Sequence, residues 1–287
     1  MTALSPTFDP RARLRPVRSI LLHQCRYDLR RLWRNPQSRF FTLALPVFML
    51  LIFGSVFHGA TVRVLGPGGP INEAVYYVPG IMAFGLTAAV FMDLTVALVG
   101  ARESGITKRR SATPAPAGVL LAGRAAVAVV TGLVVVIVLA GLGWAAYGAS
   151  VPANVAPVLV LDIVVGTAAF CCLGFAAASL IGSADAVQPA VQALILPLCF
   201  TSGVFIPAAE LPHWLIDLSN AFPVRPLAAA LLAVYNPHTR GSALHLTDLA
   251  VVAAWGATGL AVVWYRRRRP AGLSLLAPVP LFTKGTR

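Results

Sequence analysis

The chain is short of charge. Only 11% of its 287 residues are Asp, Glu, Lys or Arg, against about 25% in an ordinary soluble domain. With 57% hydrophobic residues, that shortage excludes a soluble globular domain and points to a membrane. Acid is the scarcer sign: 10 carboxylates face 23 basic residues, a net charge of +13. In a soluble protein this excess would indicate nucleic acid. Here basic and aromatic residues do not interleave as an RNA-binding surface requires, and the charge flanks apolar runs, so no nucleic-acid partner is expected.

Catalytic equipment is missing too. No G-x-x-x-x-G-K-[ST] stretch occurs, so the chain has no P-loop of its own to cradle ATP. There is no H-E-x-x-H and no C-x-x-C. His23, His58, His213, His238 and His245 are scattered without ligand spacing. Of four cysteines, Cys171, Cys172 and Cys199 lie inside apolar runs and Cys25 lies before them, so they read as packing residues and no metal is expected. Serine, histidine and acid cannot be grouped into a triad by spacing alone. The opening MTALSPTFDPRARLRP is polar, so no signal peptide is expected. No internal repeat is evident, which weighs against many secondary transporters.

What is present is apolar length. Six runs approach the roughly 20 residues a bilayer requires: 40–58, 76–99, 119–147, 155–181, 187–206 and 249–265. Pro189 and Pro197 sit inside the fifth, where membrane helices tolerate them. All lysines and arginines except Arg63, Arg225 and Arg240 fall on one side of these spans. The positive-inside rule makes that side, with both termini, cytoplasmic.

Two segments are neither spans nor loops. Residues 17–39 begin with apolar positions 17, 21, 25, 29, 32 and 33 among arginines, which predicts an amphipathic interfacial helix carrying Arg26, Arg30, Arg31 and Trp33. Its plainer reading is a positive anchor for the first span. The stretch SGVFIPAAELPHWLIDLSNAFPVRPLAAALLAVY, 202–235, is too broken by proline to span and too apolar for a free loop. Short re-entrant helices in the outer leaflet are expected there. The expected fold class is therefore all-α integral membrane protein. Its expected parts are a flexible head (1–16), the interfacial helix (17–39), a six-span domain (40–265) and a basic tail (266–287).

Asp93 and Asp162 are the acids well inside spans, and an intramembrane carboxylate raises a functional question. Each lies about two turns from a span end, which favours contact with water or a local partner over a proton relay. The charged stretch ARESGITKRRSATPAP, 101–116, sits between the second and third spans. Arg102 and Glu103 are expected to open a short helix that Pro114 and Pro116 close. Such a helix is either a docking element for a soluble partner or an unpartnered positive loop.

The stretch R-E-x-G followed by a basic segment and A-T-P resembles the cytoplasmic loop of ABC type-2 transporter permeases, R-E-x-G-T-x-x-R-L-x-x-T-P. Arg102, Glu103, Gly105, Arg109, Thr113 and Pro114 match, while Ile106 and Arg110 depart from the usual threonine and apolar residue. The segment after the fifth span is similar as well, through Ser202, Gly203, Pro207, Leu211, Pro212, Trp214, Leu215, Pro223 and Leu227. Both motifs resemble those of daunorubicin-resistance and multidrug exporters. The resemblance implies a permease subunit that pairs with a second one, as homodimer or heterodimer, above two copies of an ABC ATP-binding subunit. ATP and Mg would be bound there, with no cofactor in this chain. It implies ATPase coupling through Arg102, Glu103, Ser104, Gly105, Lys108, Arg109 and Arg110, with the interfacial helix touching the ATPase and membrane lipid. Phe205, Trp214 and Phe222 would then guide a lipophilic drug, antibiotic or lipid-like metabolite outward. A polysaccharide or glycoconjugate export permease, a non-transporting membrane anchor and an ion-coupled transporter using Asp93 and Asp162 stand as alternatives.

Overall fold

The computed structural model describes residues 40–64, 69–104, 117–239 and 243–268. The expected head and interfacial helix (1–39), residues 105–116 of the charged loop and most of the basic tail lie outside these residues.

The described chain is helical apart from one two-stranded hairpin. A π-helical turn, Phe40–Ala44, leads into α1, Leu45–Val56. Strands β1 (Thr61–Val62) and β2 (Ile71–Asn72) pair antiparallel, Thr61 with Asn72 and Val62 with Ile71. Asn72 then caps α2, Glu73–Thr87, its Oδ1 accepting from Ala74 N at 2.8 Å. After a π-helical turn, Ala88–Met92, the same rod continues as α3, Asp93–Glu103. The remaining helices are α4 (Ala117–Tyr147), α5 (Ala156–Leu180), α6 (Ala184–Thr201), α7 (His213–Asn220), α8 (Val224–Tyr235) and α9 (Leu246–Arg268). A short 3₁₀ turn, Ala208–Glu210, precedes α7.

The rod α2–α3, and α4, α5, α6 and α9, are each long and apolar enough to cross a membrane. With its π turn, α1 stands at the lower limit of about 17 residues for a span. The chain is an all-α integral membrane protein whose span helices fall on the six apolar runs of the sequence. Their ends differ from the runs by a few residues. The second run, 76–99, becomes a helix of 31 residues, Glu73–Glu103, because Asn72 caps it early and polar Arg102 and Glu103 extend it. At about 1.5 Å per residue this rod is about 46 Å long and outreaches the hydrocarbon core.

The rod α2 is apolar on every side and is buried on every side, as such a helix must be. Tyr77, Val78, Ile81, Met82 and Leu86 are nearly or wholly inaccessible and pack against α1, α4 and α8. Along α4, exposed pairs (Val129–Val130, Leu133–Val134, Ile137–Val138) alternate with buried residues (Val127–Ala128, Val135–Val136, Leu139). That period puts one stripe on the protein and one on lipid. Helices α5 and α9 run parallel in the closest packing of the bundle. A Cβ on Gly256 would lie 2.9 Å from Ala169 Cα, and one on Gly259 would lie 2.8 Å from the Cys172 carbonyl carbon. Only glycine lets these backbones approach so far.

Helices α7 and α8 form a broken pair bent by 97°. Phe222, in the turn between them, stacks on Trp255 with centroids 5.8 Å apart. Trp255 Nε1 donates to Ala221 O at 2.6 Å. Trp255 lies about two and a half turns into α9, and Gly166, which faces Leu227 of α8, lies nearly three turns into α5. The turn therefore sits well inside the bundle: the pair enters and returns, as a re-entrant element does. Its backbone is tolerated there because Ala221 O finds the Trp255 indole as a partner and burial begins at once with Pro223 and Val224.

Candidate functional site

At one end of the bundle, α3 finishes in Arg102 and Glu103. Arg102 reaches α5, where Nη1 donates to Ala178 O at 3.1 Å and Nη2 donates to Ile181 O. These carbonyls close the C-terminal turn of α5, the negative end of its dipole. Glu103 Oε2 accepts from Ala184 N at 2.6 Å, at the positive end of α6. The Ser183 side chain completes that cap by accepting from Asp185 N at 3.2 Å. Two adjacent residues of opposite sign thus grip two helix ends of opposite polarity. Arg266 of α9 donates to Ser179 O beside them. Arg124 of α4 donates to Ala97 O at 3.4 Å.

This geometry corrects one expectation. Arg102 and Glu103 do not open a separate helix; they end the second span. The i to i−4 ladder runs on through Ser104 N to Gly100 O at 3.0 Å, so nothing interrupts the rod before them. Ser104 is the C-cap residue, its Oγ donating to Ala101 O at 3.4 Å. Gly105, Lys108, Arg109 and Arg110 lie outside the described residues, as do Arg26, Arg30, Arg31 and Trp33.

Between the two ends a polar contact joins the π turns. Thr42 Oγ1 donates to Asp93 Oδ2. Asp93 N closes the second π turn by bonding Ala88 O. Asp93 therefore has a local partner, 51 residues away in the chain, which spacing does not reveal. Asp162 differs from expectation. It is 0% exposed, and neither carboxylate oxygen has a hydrogen-bond partner among the described residues. Gly166, one turn further along α5, is covered by Leu227 of α8.

At the opposite end, Phe205 lies in an aromatic cluster with Phe53, Phe84 and Phe200, at centroid distances of 6.0, 5.4 and 5.1 Å. Tyr77 joins through Phe53 at 4.8 Å. The three aromatics expected to share a pathway are not together. Trp214 is 67% exposed on α7, and Phe222 is engaged with Trp255. Helix α7 runs between Trp214, in its first turn, and Phe222, just past its end.

Beside the cluster is a cavity of about 750 Å³. Tyr76 and Gly203 form its wall: Tyr76 Oη donates to Gly203 O at 2.9 Å and accepts from Ala208 N at 3.2 Å. Gly203 has φ +80°, in the left-handed region where a side chain would be strained. Arg225, Ala228, Ala229, Leu232 and Ala233 of α8 line the facing side. In the sequence Arg225 is one of three basic residues on this face. Its burial follows from the inward dip of the pair, which composition does not show.

Residues 22–236 match the ABC-2 type transporter family. No curated protein matches the chain significantly. The matched region takes in the described helices from α1 to α8, with the arginine–glutamate grip at one end and the re-entrant pair at the other. That extent, on a multi-pass helical fold, settles the family: the chain belongs to the ABC-2 type transporters, as the membrane component that works with an ABC ATP-binding partner.

Proposed function

We propose that the chain is the permease subunit of an ATP-driven exporter in the plasma membrane, with both termini cytoplasmic. Two such subunits, identical or sister, line the pathway. Two ATP-binding subunits dock beneath them and bind ATP and Mg. The observation that carries this reading is the grip of Arg102 and Glu103 on the ends of α5 and α6, on the face where nearly all the basic residues fall. The loop 101–116 connects directly to that grip. Lys108, Arg109 and Arg110 meet the ATPase, and closure of the ATPase moves the rod α2–α3. Arg102 and Glu103 pass the movement to α5 and α6. They are positioning residues in this scheme, acting through contacts within the chain.

The cargo is lipophilic. The interior offers aromatic and aliphatic walls and few buried charges, which supports a drug, antibiotic or lipid-like metabolite over a strongly polar glycoconjugate. Phe205 contributes to that wall, and Trp214 stands at the exit.

The test is co-expression with the ATP-binding subunit encoded beside it, followed by purification through a tag on this chain. The ATPase is expected to co-purify, and Lys108→Glu combined with Arg109→Glu is expected to release it. An ATPase that stays bound to the reversed variant places the contact elsewhere. No co-purification with wild type overturns the reading. For the pathway, efflux should fall in Phe205→Ala and Trp214→Ala, and unchanged efflux in both removes them from it.

A further inference from the structure

Among the described residues, the cavity beside α8 is lined by two arginines, two histidines and no carboxylate. Arg225 is only 8% exposed. Its Nε donates to Asn220 Oδ1 at 2.6 Å, which fixes the plane of the guanidinium. Its Nη1 lies 3.5 Å from the point where Gly203 would carry a Cβ, so the absence of a side chain there leaves it room. Arg225 makes no ion pair among the described residues. The acids that act on Arg225 through space are Asp248 and Asp217; neither is within ion-pair reach of it, and Asp248 pairs with His245 at 3.1 Å. A charge held this far into a membrane bundle must meet a counter-charge or a water-filled space. Arg225 meets the space.

The same wall is apolar. Ala228, Ala229, Leu232 and Ala233 follow Arg225 at helical spacing, so they continue on its face of α8. Their small side chains leave volume beside a fixed cation. Arg63 also faces the cavity, so the permanent charges of the described lining are both positive and draw an anion toward it.

We propose that this cavity binds an amphiphilic organic anion, its carboxylate or phosphate paired with the Arg225 guanidinium and its apolar part lying on the alanine wall. A planar guanidinium whose Nη groups make no hydrogen bond among the described residues suits both headgroups. The proposal deepens the export reading, and rests on it only in making the anion the cargo; binding itself does not depend on it. Charge at the head separates this ligand from a neutral lipophile.

The experiment uses the full chain alone in dodecyl maltoside, with ligand-dependent rise of the unfolding midpoint as readout. The probes are laurate, dodecyl phosphate, phosphatidylglycerol, dodecyltrimethylammonium and inorganic phosphate. Saturable stabilisation by the anionic amphiphiles is expected, and none by the cation. Preference for the single-chain anions marks a cargo, and preference for phosphatidylglycerol marks a membrane lipid; either supports the site. Arg225→Gln should weaken binding about tenfold or more, since a charge-assisted contact is lost. Arg225→Lys should keep most of it. Ala229→Glu, which adds a carboxylate to the cavity and leaves Asn220–Arg225 intact, should abolish it, so the test survives a poorly folding Arg225→Gln. Equal response to the cation, wild-type affinity in Ala229→Glu, or full reproduction by inorganic phosphate overturns the proposal. No ATPase is present, so failure here leaves the co-purification result untouched, and the reverse holds as well.

Discussion

Glu103→Ala is the sharpest perturbation of the grip. It removes the acceptor that holds Ala184 N at 2.6 Å. Loss of a capping side chain costs about 1 kcal/mol, and the lost anion at a helix N-terminus adds about 0.3–1 kcal/mol. Glu103 is exposed, so water replaces part of the interaction, and the total should be about 1–1.5 kcal/mol. The Ser183 cap remains, so α6 persists and only its first turn opens more often, by about five- to tenfold. Hydrogen exchange followed by mass spectrometry reads this directly on a peptide covering 183–190. Glu103→Gln keeps an oxygen acceptor without the charge and should restore about half the protection. Arg102→Ala should act on the other helix, freeing 178–181. In the assembled transporter, Glu103→Ala should keep the ATPase bound but uncouple hydrolysis from transport. Unchanged exchange over 183–190 refutes the grip. If that result comes with loss of the ATPase, Glu103 is a docking residue, not a positioning one.

Three further outcomes follow from the packing. Gly259→Val should lower the unfolding midpoint by an amount equivalent to about 1–3 kcal/mol, because a Cβ would lie 2.8 Å from the Cys172 backbone; Gly141→Ala, with nothing within 4 Å, should be near neutral on the same scan. Asp162→Leu should leave stability unchanged or raise it, since it replaces a carboxylate with no partner among the described residues; a fall of more than about 1 kcal/mol would show that Asp162 has a partner. Thr42→Val should destabilise by about 1–3 kcal/mol by stranding the Asp93 carboxylate, and Thr42→Ser should rescue it.

Span positions were readable because a long apolar run is a property of composition alone. Span ends were less so. Hydropathy fades at Glu73 and at Arg102, yet the helix continues, because Asn72 supplies a cap at one end and carbonyls of α5 supply partners at the other. Those carbonyls are 76 and 79 residues from Arg102, and no local pattern announces them. The chemistry at 102 and 103 was visible as a motif, but its target was not. The outer segment shows the same division. Its prolines marked a re-entrant element, while the depth of its turn depends on Trp255, thirty-odd residues on. Phe205, Trp214 and Phe222, grouped by sequence as pathway residues, sit in an aromatic cluster, on an exposed helix face and against Trp255 respectively. Arg225, which is 8% exposed, stands in the sequence only as one of three basic residues on the outer face.

The helices that the grip holds lead to, or touch, the elements that line the cavity. Glu103 holds the start of α6, an element of 18 residues, or about 27 Å. Its far end runs straight into Gly203 and Phe205, the first beside Arg225 and the second in the aromatic cluster. Arg102 holds the end of α5, whose Gly166 touches Leu227 of the re-entrant pair. The two levers differ in stiffness. Helix α5 has proline only in its first turn, whereas α6 carries Pro189 and Pro197 inside. Each interior proline removes a backbone hydrogen bond and offers a place to bend. In the proposed transporter, a push at the grip is carried by α5 as a rigid body toward α8 and is partly absorbed by α6. The two walls of the cavity then shift relative to one another, which is what release of a ligand held between Gly203 and α8 requires.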